Sequence, residues 1–314
     1  SESDNTALKG IAYANQNKGK HIITSKIEHP AILHSCQNLE KKGFEVTYLD
    51  VDKDGFVNLQ TLENSIRQDT ILISVMFANN EIGTIEPIQE IAKIAHKNGI
   101  IFHTDAVQAC GNIPIDVRKM DIDMLSLSGH KIYAPKGIGA LYVKKGIEFE
   151  RFMDGGHQEK NKRSGTENVA EIVALGKACQ IAEKNMEQYQ NKLKLLRDYC
   201  LEKMKKSFSN IHINGTMEKR LPGNINISFE GQDTTELLYK LDEMGICASG
   251  GSACSSGDNS PSHVLTAIGL PSELAKGAIR FTFGDFNTKD DVDYLIAAIA
   301  HLIPSTAADI IPPA

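Results

Sequence analysis

The chain has 314 residues, of which 41% are hydrophobic, and its formal net charge at pH 7 is -6. This length predicts two domains, and the mixed charges, with no basic cluster, argue against a nucleic-acid partner. No apolar run approaches the roughly 20 residues that cross a bilayer, and no signal-peptide pattern opens the chain. Six cysteines without a CxxC pair are typical of a reducing compartment. We therefore expect a cytoplasmic protein with no membrane partner, in which most of the cysteines are buried.

β-Branched apolar runs alternate with helical patterns over the first half of the chain. The predicted strands are 21–25, 45–49, 70–77, 100–104, 123–128 and 138–143, and the helices between them are 31–43, 59–67 and 88–99. This alternation predicts an α/β fold with a mostly parallel sheet covered by helices. In such sheets ligands bind beyond the carboxyl ends of the strands.

The pattern changes in the second half of the chain. A helical stretch over 167–207 is longer than an average globular helix, so we expect either a break in it or a bridge between two domains. Shorter strands at 224–230 and 278–284 and helices at 234–245 and 290–303 follow, and the tail is expected to be frayed. We predict a large domain over residues 1–187 and a small α+β domain over residues 188–314.

Polar side chains follow several of the predicted strands at one edge of the sheet. Asp105 follows one strand, Lys131 lies in a glycine-containing turn after the next, and Ser1 opens an amphipathic helix whose N-terminus suits an anion. Taken singly, they can be an N-cap or turn aspartate, a surface lysine and a helix cap. Together they meet the needs of pyridoxal phosphate: an amine for a Schiff base, a carboxylate for the ring nitrogen, and hydroxyls, from Ser1 and Ser128, for the phosphate.

Lys131 is the least expected member of this set. It is predicted to lie between two buried apolar strands, where its charge must be used or paired. A metal site built from His103, Asp105 and His130 is an alternative, but the adjacent lysine would repel the cation. We therefore predict a cofactor site without a metal.

Two residues in the second half of the chain, Cys254 and Arg280, each have one interpretation without a function and one functional interpretation. Cys254 lies in GGSACSSG, a glycine- and serine-rich segment, and is either a chance free thiol or a nucleophile carried on a mobile loop. Arg280 lies in a predicted strand between apolar neighbours, and forms either a structural ion pair or a clamp on a substrate carboxylate.

The chain resembles the cysteine desulfurases of the NifS/IscS type, which are fold-type I pyridoxal phosphate enzymes related to class V aminotransferases. The matching segments occur in the order of the family: SESDN, EHPAIL, NNEIGTIEPI, HTDAVQACGNIPID, SLSGHKIYAPKGIGALYV, RSGTENV, GGSACSSG and AIRFTFG. The resemblance implies a pyridoxal-phosphate-binding large domain and removal of sulfur from L-cysteine, giving L-alanine and a persulfide on Cys254. It also implies acceptors such as iron–sulfur scaffolds or tRNA-thiolation proteins.

The resemblance assigns roles to individual positions. Lys131 would hold the cofactor, and His29 would stack on its ring and assist proton transfer. Asp105 would pair with the ring nitrogen, and Gln108 with the ring hydroxyl oxygen. The phosphate would be bound by Ser1, Ser128, His130 and, from a second copy of the chain, Thr166. The substrate carboxylate would be bound by Asn80, which is also a cofactor-binding candidate, and by Arg280.

Two departures from the family pattern leave alternatives open. The family's usual segment ahead of SESDN is missing, and GGHQEKNKRSGT differs from the common loop sequence. A selenocysteine lyase, a related class V aminotransferase, or an inactive dimerising chain are therefore the alternatives to a homodimeric cysteine desulfurase. The thiol of Cys254 argues against the aminotransferase.

Overall fold

The structure is a computed structural model that describes residues 1–251 and 261–303. The strands are β1 (His21–Ser25), β2 (Glu45–Leu49), β3 (Thr70–Ser74), β4 (Ile101–Asp105), β5 (Met124–Ser128), β6 (Gly139–Val143), β7 (Ile211–Ile213), β8 (Asn224–Phe229) and β9 (Ala278–Thr282). The helices are α1 (Glu2–Asn15), α2 (Pro30–Glu40), α3 (Leu59–Asn64), α4 (Ile88–Lys97), α5 (Gln158–Asn161), α6 (Val169–Ser207), α7 (Thr234–Glu243), α8 (His263–Ala267), α9 (Ser272–Lys276) and α10 (Lys289–Leu302). A 3₁₀ turn spans Gly129–Ile132. The predicted tail lies outside the described residues.

The described chain divides into two compact units. Unit 1 comprises Ser1–Asn80 and Thr84–Met186, and unit 2 comprises Glu81–Gly83 and the described residues from Glu187 onward. Helix α6 runs without interruption over 39 residues and contributes to both units. The expectation of a bridging helix is therefore confirmed, and the alternative of a break is wrong. The domain ranges 1–187 and 188–314 stay a prediction.

Unit 1 is built on one sheet in the order β2-β1-β3-β4-β5-β6. The pairs from β2 to β5 are parallel, and β6 is an antiparallel edge strand. β1 and β3 are buried along their whole length, and α1 buries Leu8 and Ile11 in the same core. Each buried Leu or Ile stabilises the fold by about 1.5–3 kcal/mol. The predicted α/β fold with a mostly parallel sheet is thus confirmed.

Two strand predictions in unit 1 need correction. The apolar run 70–77 predicts one long strand, but β3 ends at Ser74, and Val75 and Phe77 continue to bond to the backbone of β4 outside regular strand geometry. The run 138–143 predicts a buried strand, but β6 is partly exposed because it forms the edge of the sheet. Apolar runs indicate strands but do not distinguish central from edge positions.

Unit 2 has a smaller antiparallel sheet in the order β7-β8-β9. Its core joins this sheet to α6, α7 and α10 through buried side chains such as Phe229, Phe281, Leu241, Cys200 and Ile299. The expected α+β organisation is therefore observed. None of the helices in the described parts of the chain combines the length and apolar character needed to span a membrane.

The cysteines follow the expectation of burial only in part. Cys36 and Cys200 are buried, Cys110 and Cys179 are half-buried, and Cys247 is exposed. Burial raises the pKa of the Cys110 thiol to about 11, so at neutral pH this residue is a protonated, unreactive thiol.

Candidate active site

Asp105 is a buried carboxylate at the carboxyl end of a central strand. It is the last residue of β4, which lies between β3 and β5, and it is 5% exposed. Its Oδ1 accepts a hydrogen bond from the Val107 N–H at 2.9 Å. Burial, and then the charge of Asp4 in α1, raise the pKa of Asp105 to about 8, against the opposing effects of the Val107 N–H and Lys131. A cation placed beside this carboxylate is therefore strongly favoured.

His103 lies behind Asp105 on the same face of β4. It is fully buried, with its Nδ1 2.9 Å from Ser74 Oγ and its Nε2 3.0 Å from Ser126 Oγ. Burial lowers the pKa of His103 to about 4, against the raising effect of Asp4, so the ring is neutral at physiological pH. Through these two contacts, the ring of His103 links β4 to both of its neighbouring strands, β3 and β5.

Lys131 lies in the 3₁₀ turn that follows β5. The turn is tight, because a Cβ added at Gly129 would lie 2.8 Å from Ile138 Cγ2 and 3.0 Å from the Ile138 carbonyl oxygen. Contrary to the argument from the sequence, Lys131 is exposed and not enclosed between two buried strands, because β6 is an edge strand. Its charge still acts on Asp105 and lowers the pKa of that carboxyl. The amine and the carboxylate therefore belong to neighbouring strand ends.

Ser128 and His130 flank Gly129 in the same turn. Ser128 Oγ lies 2.8 Å from His130 Nδ1. Partial burial, followed by the charges of Lys131 and Lys136, lowers the pKa of His130. This concentration of positive charge suits an anionic group. Ser1 is the exposed N-cap residue of α1, and its hydroxyl makes no capping bond to the described first turn of that helix.

His29 is half-buried and lies at the carboxyl side of β1. It is the N-cap residue of α2, where its Nδ1 accepts a hydrogen bond from the Ala31 N–H at 3.1 Å. This bond makes Nδ1 the acceptor and Nε2 the nitrogen that carries the proton. The preceding Glu28 is fully buried and accepts hydrogen bonds from Ser25 Oγ at 2.7 Å and from the Met76 N–H at 2.8 Å. These contacts tie the segment that carries His29 to the ends of β1 and β3.

The remaining candidates divide between the two units. In unit 1, Gln108 and Asn80 are half-buried in the segments after β4 and β3, and Thr166 is exposed. In unit 2, Arg280 lies in β9 and is half-buried. Its backbone pairs with Ser249, with the Arg280 N–H 2.6 Å from the Ser249 carbonyl oxygen. Cys254 lies outside the described residues.

The residues of unit 1 fit pyridoxal phosphate as a donor set. Asp105 is a buried carboxylate whose negative charge is stabilised by a nearby cation. The protonated ring nitrogen of the cofactor is such a cation. Lys131 offers an amine at the neighbouring strand end, and the cationic turn around His130 offers charge for the phosphate. These are the three chemical requirements of this cofactor. The roles of the individual residues stay predictions.

Sequence reasoning missed the buried acidic residues around this set. Asp4 and Glu28 are 1% and 0% exposed. The sequence placed Asp4 in the first turn of a helix, where acidic residues are common on exposed surfaces. The sequence offered one indication of a role for these acidic residues, which is that Asp4 lies near Ser1 in SESDN and Glu28 lies next to His29 in EHP.

Comparisons with known proteins agree with this geometry. The family described as Aminotransferase class-V matches residues 1–295. The protein named Cysteine desulfurase IscS of Dictyoglomus turgidum is 52% identical over 302 residues, which cover 96% of this chain and 77% of that protein. The chain belongs to the cysteine desulfurase family. The resemblance seen in the sequence motifs is thereby confirmed.

Other members of the family and solved structures extend the match. Cysteine desulfurase IscS of Methanosarcina thermophila is 54% identical over 302 residues, covering 96% of this chain and 74% of that protein. A structure titled NIFS-LIKE PROTEIN has a TM-score of 0.89 at 36% identity and covers 96% of this chain and 80% of that one. A structure titled SspA in complex with cysteine has a TM-score of 0.78 at 38% identity, covering 91% and 80% respectively. The chain is thus a fold-type I, pyridoxal-phosphate-dependent transferase.

Because the pKa of Asp105 is raised, the free energy of unfolding of the cofactor-free chain is expected to depend on pH. An unfolded Asp ionises near pH 4 and folded Asp105 near pH 8, so the folded state holds an extra proton between these values and its stability falls as the pH rises. We expect Asp105→Asn to stabilise the cofactor-free chain at pH 8 by on the order of 1–3 kcal/mol, and much less at pH 4. Urea unfolding at both pH values measures the difference.

Asp121 provides a matched control for this experiment, because its pKa is shifted in the opposite direction from that of Asp105. It is half-exposed, and hydrogen bonds from Lys144 and His96 lower its pKa. Its φ of 54° is tolerated by asparagine. Asp121→Asn is therefore expected to destabilise the chain slightly above pH 4 and to have no such effect at lower pH. An Asp105→Asn chain that is less stable than the parent at pH 8 would contradict the electrostatic description of the site.

Proposed function

We propose that the chain transfers sulfur from L-cysteine to Cys254 and releases L-alanine. One sulfur–carbon bond of the substrate breaks and one sulfur–sulfur bond forms, and the proton of the Cys254 thiol replaces the sulfur lost from the substrate carbon. One observation carries the proposal: buried Asp105 is the last residue of β4, and the turn that contains Lys131 follows β5, the strand that pairs with β4. The chain also belongs to the cysteine desulfurase family.

The residues of unit 1 would bind the cofactor and move protons. When bound, pyridoxal phosphate supplies a ring that withdraws electrons from the substrate α-carbon. Asp105 would accept a hydrogen bond from the protonated ring nitrogen, and Gln108 would donate one to the ring hydroxyl oxygen. Lys131 would hold the cofactor through its Nζ, and His29 Nε2 would donate and accept the transferred proton. Ser1, Ser128 and His130 would bind the phosphate.

Asn80, Arg280 and Cys254 would handle the substrate. Arg280 presents a planar guanidinium that binds a carboxylate through two parallel hydrogen bonds, and Asn80 would add an amide donor. Cys254 would attack as a thiolate, so its proton must leave during the approach to the substrate. The structure titled SspA in complex with cysteine supports L-cysteine as the substrate.

Product analysis tests the proposed function. The chain loaded with pyridoxal phosphate and supplied with L-cysteine and a reductant is expected to give alanine and sulfide in equal amounts. Pyruvate in place of alanine, or turnover of selenocysteine with none of cysteine, would instead identify another reaction of the class V enzymes. A cofactor-loaded chain that releases no sulfide would contradict the proposal.

We also propose that the enzyme is a homodimer. The first turns of α6 expose a stripe of apolar side chains, in which Val169 is 65%, Ile172 41% and Val173 66% exposed. Exposed apolar stripes of this kind are typical of protein interfaces. Thr166 lies just before this stripe and is exposed, as a residue that reaches the phosphate of a second copy must be. Sedimentation at micromolar concentration is expected to give twice the mass of the chain; a monomer would contradict this.

The persulfide would be delivered to an acceptor protein in the cytoplasm. An iron–sulfur scaffold or a tRNA-thiolation protein are the proposed acceptors, following the family. Transfer of labelled sulfur from L-cysteine to a purified scaffold, dependent on Cys254, would support this assignment. Labelled sulfur released only as free sulfide in the presence of the scaffold would contradict it.

A further inference from the structure

The chain segment that leads into His29 is fixed by a buried carboxyl group, that of Glu28. Glu28 is fully buried, and its Oε1 accepts hydrogen bonds from Ser25 Oγ at 2.7 Å and from the Met76 N–H at 2.8 Å. Ser25 is the last residue of β1, and Met76 lies two residues beyond the end of β3. One oxygen atom therefore joins the turn before His29 to the ends of two neighbouring strands.

A second buried side chain joins the same two segments in the reverse sense. Asn79 is fully buried, and its Nδ2 donates a hydrogen bond to the Ile27 carbonyl oxygen at 2.9 Å. We call the two contacts, Met76 to Glu28 and Asn79 to Ile27, the buried clamp. In each contact a side chain of one segment meets the backbone of the other. Because both contacts are shielded from water, they hold the segments more firmly than exposed hydrogen bonds would.

The buried clamp lies beside three predicted site residues. His29 and Asn80 each directly follow a clamp residue along the chain. Between the two clamp residues of the second segment, the Phe77 N–H donates a hydrogen bond to the Asp105 carbonyl oxygen at 2.8 Å. The predicted partner of the ring nitrogen, the predicted ring-stacking residue and a predicted substrate ligand are thus attached to one small set of buried hydrogen bonds.

The environment of Glu28 favours its neutral carboxyl group. Burial raises the pKa of Glu28 well above its ordinary value, and the charges of Asp105 and Glu86 add to this rise. The hydrogen bonds from Met76 and Ser25 oppose it. Because a neutral carboxyl group holds its donors by shape and not by charge, a glutamine amide, whose carbonyl oxygen has the same reach, can replace it.

We propose that Glu28 is a positioning residue for His29. This inference rests on the proposed function, in which His29 stacks on the cofactor ring and moves a proton at its Nε2. The His29 ring is oriented by the hydrogen bond from the Ala31 N–H to Nδ1, at 3.1 Å, and this bond requires the backbone at His29 to stay in place. Without the Glu28 acceptor the preceding turn can shift, and a displacement of about 1 Å can cost about 100-fold in rate.

The rate test compares Glu28→Ala with Glu86→Ala. Glu86 is a matched control because it is a buried glutamate, 4% exposed, whose Oε2 accepts a hydrogen bond from the Val57 N–H at 3.1 Å. Neither Glu86 nor Val57 is a predicted site residue. In a single turnover of the cofactor-loaded chain with L-cysteine, we expect alanine formation to fall about 10- to 100-fold in Glu28→Ala. Glu86→Ala is expected to stay within about threefold of the parent rate.

Conservative variants separate the hydrogen-bond acceptor from the ionisable group. Glu28→Gln keeps a carbonyl oxygen for both donors and is expected to form alanine within about threefold of the parent rate. Glu28→Asp keeps the carboxyl group but is one methylene shorter, so it reaches both donors only if the segment moves, and we expect a loss as large as in Glu28→Ala. A Glu28→Gln chain as slow as Glu28→Ala would overturn the positioning role. These two variants also decide the question if Glu28→Ala does not fold.

The ring nitrogen chemical shifts of His29 in the cofactor-free chain supply a readout that needs no catalysis. Because Nδ1 accepts from the Ala31 N–H, we expect the parent chain to show the tautomer with the proton on Nε2. Glu28→Ala is expected to show a mixture of both tautomers, and Glu86→Ala the parent signals. His21, buried in β1 with its ring nitrogens at two threonine hydroxyls, is expected to keep its signals in every variant and so reports that the sheet is intact.

The two readouts together decide the proposal. Parent His29 signals and a parent alanine rate in Glu28→Ala would overturn it. A slowed rate with unchanged His29 signals would overturn it as well, since the loss would then arise elsewhere in the site. If the parent chain makes no alanine, the proposed function fails, and the His29 spectra still decide whether Glu28 places this ring.

Discussion

Replacing Lys131 with alanine is expected to abolish covalent attachment of the cofactor and to lower alanine formation from L-cysteine at least about 10³-fold. The 3₁₀ turn after β5 carries this amine at the strand end beside Asp105, and alanine offers no nitrogen there. Borohydride reduction of the parent chain followed by peptide mapping is expected to place the cofactor on the Lys131 peptide. In the variant no peptide is expected to carry it.

Lys145→Ala is the matched control for this experiment. Lys145 is an exposed lysine just beyond β6 and is not among the predicted site residues. The variant is expected to bind the cofactor and to form alanine within about twofold of the parent rate, as is usual for substitutions on the surface. A Lys131→Ala chain that keeps both the attached cofactor and the activity would show that another amine holds it, and the assignment of the site would be wrong.

Replacing Cys254 with serine is expected to leave cofactor binding intact and to stop sulfur transfer. Serine has nearly the size of cysteine, but its hydroxyl is not ionised near neutral pH and is a far weaker nucleophile toward sulfur. We expect release of sulfide and alanine to fall at least about 10²-fold, while the absorbance change on adding L-cysteine remains. This separation would assign Cys254 to the attack and not to binding.

Cys247→Ser controls for the loss of an accessible thiol. Cys247 is exposed in unit 2 and lies a few residues before Gly251. Its replacement is expected to leave the rate of alanine formation unchanged. Should Cys254→Ser release sulfide at the parent rate, the thiol acceptor would have to be a different residue or a free thiol in solution.

The sequence predicted the sheet of unit 1 well because its strands are continuous apolar runs separated by helical patterns. Strands 21–25 and 45–49 match β1 and β2 at both ends. The sequence could not show that β6 is an edge strand, because strand order depends on pairing between distant segments. It could not show that the pattern over 167–207 forms one unbroken helix, because charged and apolar residues alternate along it without a clear stop signal.

The sequence allowed prediction of those site residues that directly follow strands of the sheet. Asp105 and Lys131 were placed together because the strands that precede them both end at the same edge of a parallel sheet. The exposure of Lys131 and the burial of Asp4, Glu28 and Glu81 were not predictable, since side-chain burial is a property of the packed fold. The segment with Cys254 lies outside the described residues, so its role depends on the family and on the proposed chemistry.

The most direct test of the account is the fate of a single sulfur atom. The cofactor-loaded chain is mixed with L-cysteine without reductant, digested, and examined by mass spectrometry alongside an assay of alanine. We predict one alanine per chain and a mass gain of one sulfur atom on the peptide that contains Cys254. Alanine formation with no sulfur on that peptide, or sulfur on another cysteine in the Cys254→Ser chain at the parent rate, would contradict it.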